Sequence, residues 1–357
     1  MNRIFIRSVY ILLYGFATAI NHLCLALDDI FYPSYRKVVI RPPLFIVSMP
    51  RTATTWLHNI LASDQQQFTS MKLWEMLLAP SVLQKKLILW LSKTDRCAGG
   101  HINRLLRNWD KRIFRGYKPV HPSSLFAVED DDLVLFNIFS NLFLVFFFPH
   151  LAHVDFLMEF DQMPDIKRKK RILSFYRKCI QRHLYVFGEG KTYLSKSATH
   201  SPRMRSLREW FPGSLFLFTV RKPEQAVLSG IGTASHFCAL FHTRFNRAGL
   251  VRRTLAMYDS YFSYPVQVLK EWPGESYFVN RYDDLVINVG REVTRIYTHF
   301  QFPVSSDFSI YLHEEWLKSK SYQSGHQYIS ENWGISSAEI TLRYTPWYKK
   351  YENLIHP

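Results

Sequence analysis

Arg51, Thr52, Thr54 and Thr55 lie together in the stretch Ser48-Met49-Pro50-Arg51-Thr52-Ala53-Thr54-Thr55-Trp56, and their shared chemistry is anion binding. A guanidinium is a planar fork of donors that stays charged at any working pH. Threonine hydroxyls add donors, and the N–H groups at a helix start point at whatever negative group lies before them. The apolar run Leu44-Phe45-Ile46-Val47 precedes this stretch and a helical pattern begins near Trp56. The residues therefore fall on a strand–turn–helix unit of the kind that cradles a phosphate or sulfate. The loop has no glycine, and no Gly-Lys pair follows. It is not the G-x-x-x-x-G-K-S/T loop of nucleoside triphosphatases, which needs glycines for close approach and a hydroxyl for Mg²⁺.

A second such unit follows. Leu215-Phe216-Leu217-Phe218-Thr219-Val220 ends in Arg221-Lys222-Pro223, and a helical pattern containing Ser229 comes next. Arg221 at the strand's carboxyl end and Ser229 two helical turns on can reach a second anion, while Lys222 reads as a solvated neighbour. The run Glu129-Asp130-Asp131-Asp132, after His121-Pro122, offers Glu129 as a candidate base for an acceptor hydroxyl. Its alternative reading is a solvated loop or a helix start complementing the dipole.

Together these stretches resemble the sulfotransferases that use 3′-phosphoadenosine 5′-phosphosulfate (PAPS). In that family a Pro-Lys/Arg-Ser/Thr-Gly/Ala-Thr-Thr loop holds the 5′-phosphosulfate, and an Arg with a Ser eight residues later holds the 3′-phosphate. Arg51 to Thr55 match the loop, with Ala53 where Gly is common, and Arg221 with Ser229 match the second signature. Lys196-Ser197-Ala198-Thr199-His200, Arg281-Tyr282-Asp283-Asp284-Leu285-Val286 and His326-Gln327-Tyr328 look like later landmarks of the broad, largely bacterial-type branch. The R-K-G-x-x-G segment of the phenol and steroid enzymes is missing.

The resemblance implies that Arg51, Thr52, Ala53, Thr54, Thr55 and Trp56 bind the 5′ end of PAPS, with Arg51 neutralising the bridging oxygen, and that Arg221 and Ser229 bind its 3′-phosphate. It offers two further bases, Glu75 in Leu73-Trp74-Glu75 and His200 after Lys196; Lys196 itself reads as a contact to the sulfate or as a surface lysine. The resemblance calls for no metal. His326 and Tyr328, with Lys318 and Lys320, read as a polar surface loop or as a flap over the nucleotide.

The elements that must position these residues alternate. Strands are expected at Leu44–Ser48, Thr192–Ser195, Leu215–Val220 and Ser276–Asn280. Helices are expected from Thr55, over Met71–Ala79, and over Asp165–Val186 behind Pro164. Every motif falls at a strand's carboxyl end, where open α/β sheets bind ligands. The expectation is a P-loop-like three-layer α/β fold, with a central, mostly parallel sheet flanked by helices, an N-terminal apolar helix and helical insertions. Residues 1–40 form the apolar helix region and 41–357 the sulfotransferase domain, with an acceptor-site insertion at about 80–190.

The 357 residues carry 45 basic and 29 acidic side chains, a net charge of +16 that favours anionic partners. No zinc-finger spacing or RNA-binding aromatic signature accompanies the charge, so nucleic acid is not an expected partner. Four cysteines without a C-x-x-C pair read as reduced thiols and fit a cytoplasmic protein. Residues 4–27 are apolar and long enough to span a bilayer, but Arg7, Asn21 and His22 interrupt them. This segment reads as a helix docked on the domain, an interfacial helix or a membrane anchor. Leu133 to Phe148 reads as a buried core helix, as the wall of a greasy acceptor pocket or as a membrane-dipping face. Lys167-Arg168-Lys169-Lys170-Arg171 reads as a solvated helix face or an attraction for anionic lipid. The function expected is transfer of the sulfuryl group of PAPS to a hydroxyl on a small lipophilic acceptor. The alternatives are a membrane-peripheral nucleotide-binding protein without chemistry and an NTP-dependent kinase.

Overall fold

In chain order the elements are α1 (Arg3–Phe31), β1 (Leu44–Ile46), α2 (Thr54–Ser63), β2 (Phe68–Thr69), α3 (Leu73–Leu77), α4 (Val82–Cys97), α5 (His101–Ile113), α6 (Ile166–Phe187), β3 (Thr192–Lys196), α7 (Met204–Trp210), β4 (Leu215–Val220), α8 (Pro223–Leu240), α9 (Arg247–Glu271), β5 (Tyr277–Arg281), α10 (Tyr282–Ile287), α11 (Val289–Phe300), α12 (Ser306–Lys320) and α13 (Ser337–Glu352). They come from a computed structural model that describes residues 3–116, 123–148, 152–188, 190–243, 245–320 and 333–355.

Five strands pair in parallel in the order β2-β3-β1-β4-β5. Leu44 of β1 is in register with Leu194 on one side and Leu215 on the other. Strands of a parallel sheet are covered on both faces and read as unbroken apolar runs, which is why Leu-Phe-Leu-Phe-Thr-Val forms β4. Alternation sends successive side chains to opposite layers. Phe45, Phe216 and Phe218 join the cluster packed with Tyr258 and Phe262 of α9, while Leu44, Ile46 and Leu217 join Ile60 of α2 and Val293 of α11. From β1 the chain runs outward to β2 and β3 on one side, then returns to β4 on the other. The loops after β1 and β4 thus lie side by side at a switch point of strand order, the crevice where such sheets take ligands.

Two expectations are corrected or sharpened here. Leu133 to Phe148 is not one core helix. It forms two short 3-10 segments, Asp131–Ile138 and Leu142–Phe146, because Phe139 turns left-handed (φ 53°) and Asn141 caps the second segment at Phe143 N (2.8 Å). The N-terminal apolar segment docks through two of the residues that interrupt it, Asn21 and His22. Asn21 Nδ2 donates to Leu77 O (2.9 Å) and Asn137 Oδ1 (2.8 Å), and His22 Nε2 lies 2.7 Å from Asn137 O. The fully buried Asp28 accepts from Arg182 Nε (2.8 Å) and from Val82 N and Leu83 N (2.8 and 3.0 Å). The opposite side of α1 stays exposed at Leu12, Phe16 and Leu23, and Ile11–Phe31 is the one stretch among the described residues long and apolar enough to cross a bilayer. Lys167–Arg171 lies on α6, where Lys167, Lys170 and Arg171 face solvent.

Candidate active site

The loop between β1 and α2 makes its turn without glycine. Arg51 (φ 72°) and Ala53 (φ 62°) both sit in the left-handed region, a conformation that costs an L-residue roughly 1–2 kcal/mol and that is held where function needs it. The left-handed residue at the entry to α2 is Ala53, which offers no side-chain cap. The first-turn N–H groups of Thr54, Thr55 and Trp56 thus have no side-chain cap, the arrangement of a helix start that can accept an anion. The half-buried Trp56 side chain packs against the core layer formed by Leu57 and Ile60 of the same helix and its neighbours. The fully buried Thr52 departs from expectation in its side chain. Its hydroxyl donates to Met49 O (2.9 Å) and pins the turn, so only its N–H can face a ligand.

The two motifs meet. Arg51 Nε donates to Ser229 Oγ (2.8 Å) across 178 residues of sequence, and Arg221 Nη1 donates to Arg51 O (2.8 Å). The Arg221 guanidinium also lies over the Tyr282 ring at 4.1 Å and bonds Gln225. Tyr258 Oη braces the loop, donating to Ala226 O (2.8 Å) with Pro50 O also within reach at 3.2 Å. Gly230 makes this possible, because a Cβ there would come within 2.4 Å of that hydroxyl oxygen.

At the end of β3, Lys196 Nζ donates to Thr55 Oγ1 (3.2 Å) and pairs with Asp130 Oδ1 (2.9 Å). Both line a cavity of about 220 Å³ whose floor is Arg51, Thr54 and Thr55 and whose walls include Phe143, Phe146, Phe237 and Met257. The segment Leu142–Phe146 is thus a cavity wall, as its greasy-pocket reading anticipated. Arg253 also lines this space and pairs with Asp155.

Of the three candidate bases, Glu75 and His200 are turned away from the cavity. Glu75 is buried against His183 Nδ1 (2.7 Å) and accepts from Lys72 N. Burial alone would raise its carboxyl, but His183, Lys85 and that N–H hold it below the usual value. His200 Nε2 lies 3.1 Å from Asp131 Oδ1, and its ring packs edge-on against Phe45 of β1. Asp131 is fully buried and accepts from Tyr176 Oη (2.5 Å), Tyr193 Oη (2.8 Å) and Ser195 Oγ (3.0 Å). Burial pushes its carboxyl up, and the bonds from His200, Tyr176 and Tyr193 more than reverse this. Glu129 is 3% exposed and outside the cavity lining. The neighbouring Asp130, whose side chain is 25% exposed, is the carboxylate that reaches the cavity beside Lys196. Asp132 also borders it, but is held by Ser197 Oγ (2.8 Å), Asn141 Nδ2 (2.9 Å) and Thr199 Oγ1 (2.5 Å). Buried His58 bonds Ser70 (2.7 Å), and burial with the nearby Lys196 charge brings its pKa down to about 3. It is packed and neutral. Lys318 pairs with Glu315 on α12, and His326 and Tyr328 lie outside the described residues. Among the described residues, no group of three or more His, Cys, Asp or Glu is placed to hold a metal ion.

A parallel α/β sheet whose switch point carries a glycine-free anion loop joined to a second Arg–Ser pair defines a group-transfer class built for phosphate and sulfate esters. The chain belongs to the sulfotransferase family, whose model matches residues 42–306. It is 26% identical over 365 residues, 95% of this chain and 84% of the relative, to the omega-hydroxy-beta-dihydromenaquinone-9 sulfotransferase Stf3 of Mycobacterium bovis and to its counterpart of the same name in Mycobacterium tuberculosis. Its fold is that of the sulfotransferase STF9 from Mycobacterium avium (TM-score 0.74, 17% identity, 94% of this chain and 82% of that one). It is likewise that of STF1 from Mycobacterium tuberculosis (TM-score 0.68, 18% identity, 92% and 83%).

Proposed function

We propose that this protein transfers a sulfuryl group from PAPS to the hydroxyl of a lipophilic acceptor, with residues 80–190 serving as the acceptor-site insertion. The observation that carries this reading is the direct contact of the two anion motifs, Arg51 with Ser229 and Arg221 with the Arg51 carbonyl, beside an apolar cavity that Arg51 itself lines. The site fits the donor: the first turn of α2 has no side-chain cap, and Arg51, Arg221 and Lys196 stand around it. PAPS supplies an activated sulfuryl group, whose sulfur–oxygen bond to phosphate breaks as a new one forms to the acceptor oxygen. The N–H groups of Thr54, Thr55 and Trp56 and the hydroxyls of Thr54 and Thr55 hold the 5′ end. Arg51 and Lys196 balance the negative charge that grows on the departing oxygen. Arg221 and Ser229 hold the 3′-phosphate, a geometry that suits a guanidinium fork. Asp130 takes the proton from the acceptor hydroxyl. The phenylalanines and methionines of the cavity wall support an apolar acceptor, as does a relative named for a hydroxylated dihydromenaquinone.

Calorimetric titration tests the donor assignment. The wild type is expected to bind 3′,5′-adenosine bisphosphate in preference to 5′-AMP and ATP, and Arg221→Ala to weaken it by about 10- to 100-fold, the loss of a charged hydrogen-bond pair. A preference for ATP would move the chain to the kinase reading. Bisphosphate binding with no turnover of any hydroxylated lipid would move it to the non-catalytic one.

A further inference from the structure

Helix α5 is amphipathic in the reverse sense for a helix packed on a core. Its apolar residues Ile102, Leu105, Leu106, Trp109 and Ile113 recur at helical spacing, yet are 60%, 57%, 50%, 59% and 57% exposed. Its anchor on the body is Asp110, the one buried residue of the helix. Asp110 accepts from Leu125 N (2.7 Å) and Ser124 Oγ (2.8 Å), and the Arg107 guanidinium lies over the Phe126 ring. Helix α4 packs between α1 and α5 and adds Leu87, Trp90 and Leu91, 52%, 61% and 49% exposed. The apolar stripe of a surface helix normally faces the core, and apolar patches of this extent mark a partner or a membrane.

Charge decides between them. From Val82 to Gly116 the exposed charged side chains are all basic, among them Lys86, Lys93, Arg104, Arg107, Lys111 and Arg112. Both carboxylates, Asp95 and Asp110, are buried and accept backbone N–H groups. On α5 the helical period sets Arg104, Arg107 and Lys111 away from the apolar stripe rather than within it, and a tryptophan lies in the stripe of each helix. This is the pattern of helices that lie in a bilayer interface, with the apolar side in the acyl boundary and cations among anionic headgroups.

We propose that α4 and α5, with the exposed side of α1, form a platform that seats the protein on an anionic lipid bilayer. The end of the platform adjoins the cavity: His236 Nε2 of α8 lies 2.8 Å from Gly116 O, and the next residue, Phe237, lines the cavity. Docking on this face holds the cavity at the lipid surface. It needs neither donor nor acceptor, so it stands or fails apart from the reaction proposed above.

The test is sedimentation of the full chain, in detergent-free buffer, with vesicles of phosphatidylcholine alone or mixed with phosphatidylglycerol. The wild type is expected to bind the mixed vesicles at least tenfold more tightly, with binding weakened by salt. Leu105→Glu/Trp109→Glu, at exposed positions, should lose this binding while circular dichroism and melting stay unchanged. Arg104→Gln/Lys111→Gln/Arg112→Gln should lose about 100-fold on the anionic vesicles, three headgroup attractions. Undiminished binding by both variants overturns the proposal. So does loss of binding only on Phe16→Glu in α1, which would make α1 the sole anchor. Failure of the wild type to bind, with self-association that Leu105→Glu/Trp109→Glu abolishes, would assign the face to a second copy.

Discussion

Asp130 is the residue on which the proposed chemistry turns. Four consecutive acids run from Glu129 to Asp132, and their spacing alone does not tell which one meets a substrate. The 3-10 turn that begins at Asp131 rotates successive side chains by about 120°, so each takes a different environment. Asp130 goes to Lys196 at the cavity, Asp131 to His200, and Asp132 to Asn141 and Ser197. Asp130→Asn is expected to lower kcat by about 100- to 10,000-fold, the range for a lost general base, with bisphosphate binding retained. Glu75→Gln should leave that binding in place and lower stability instead, because it strips a buried partner from His183. Equal loss of kcat in a folded Glu75→Gln protein, with Asp130→Asn active, would reverse the assignment.

At the scale of elements, the strand–turn–helix units were legible because buried parallel strands are unbroken apolar runs and the motif residues follow them directly. β4 matches its expected range Leu215–Val220, and β1, β3 and β5 fall within one or two residues of theirs. The Leu133–Phe148 run was not legible, because a string of Phe, Leu and Val is compatible with helix, strand or irregular packing until Phe139 breaks it. Helix α1 was half legible. Its hydropathy gave its length, while the meaning of Asn21 and His22 depended on acceptors contributed by residues 77 and 137. The Asp28–Arg182 pair tests how firmly α1 belongs to the body. Both side chains are buried, and Asp28→Ala leaves Arg182 without its main counter-charge and the first N–H groups of α4 uncapped. A loss of about 3–5 kcal/mol in denaturant unfolding is expected, the cost of breaking a buried pair from one side. A variant within about 0.5 kcal/mol of wild type would mean that α1 adds little to the fold.

For the molecule as a whole, the buried carboxylates set the response to acid. Asp131 and Glu75 are held below their ordinary values in the folded state, so the unfolded chain binds their protons first as pH falls. Their contribution is complete above the unfolded carboxylate values near 4 and is lost as pH drops through them toward the folded values. The melting temperature should therefore be flat near neutrality and fall steeply in acid, with a shallower acid slope in Asp131→Asn; an unchanged slope would remove Asp131 as the cause. The Asp28–Arg182 contact has a further consequence, in time rather than in energy. Its partners are 154 residues apart, and at ribosomal rates of roughly 5–20 residues per second the arginine emerges some 8–30 s after the aspartate. Throughout that interval α1 is an apolar helix leaving the ribosome without its seat. Newly made chains thus have time to meet a chaperone or a lipid surface before their own fold can claim that helix.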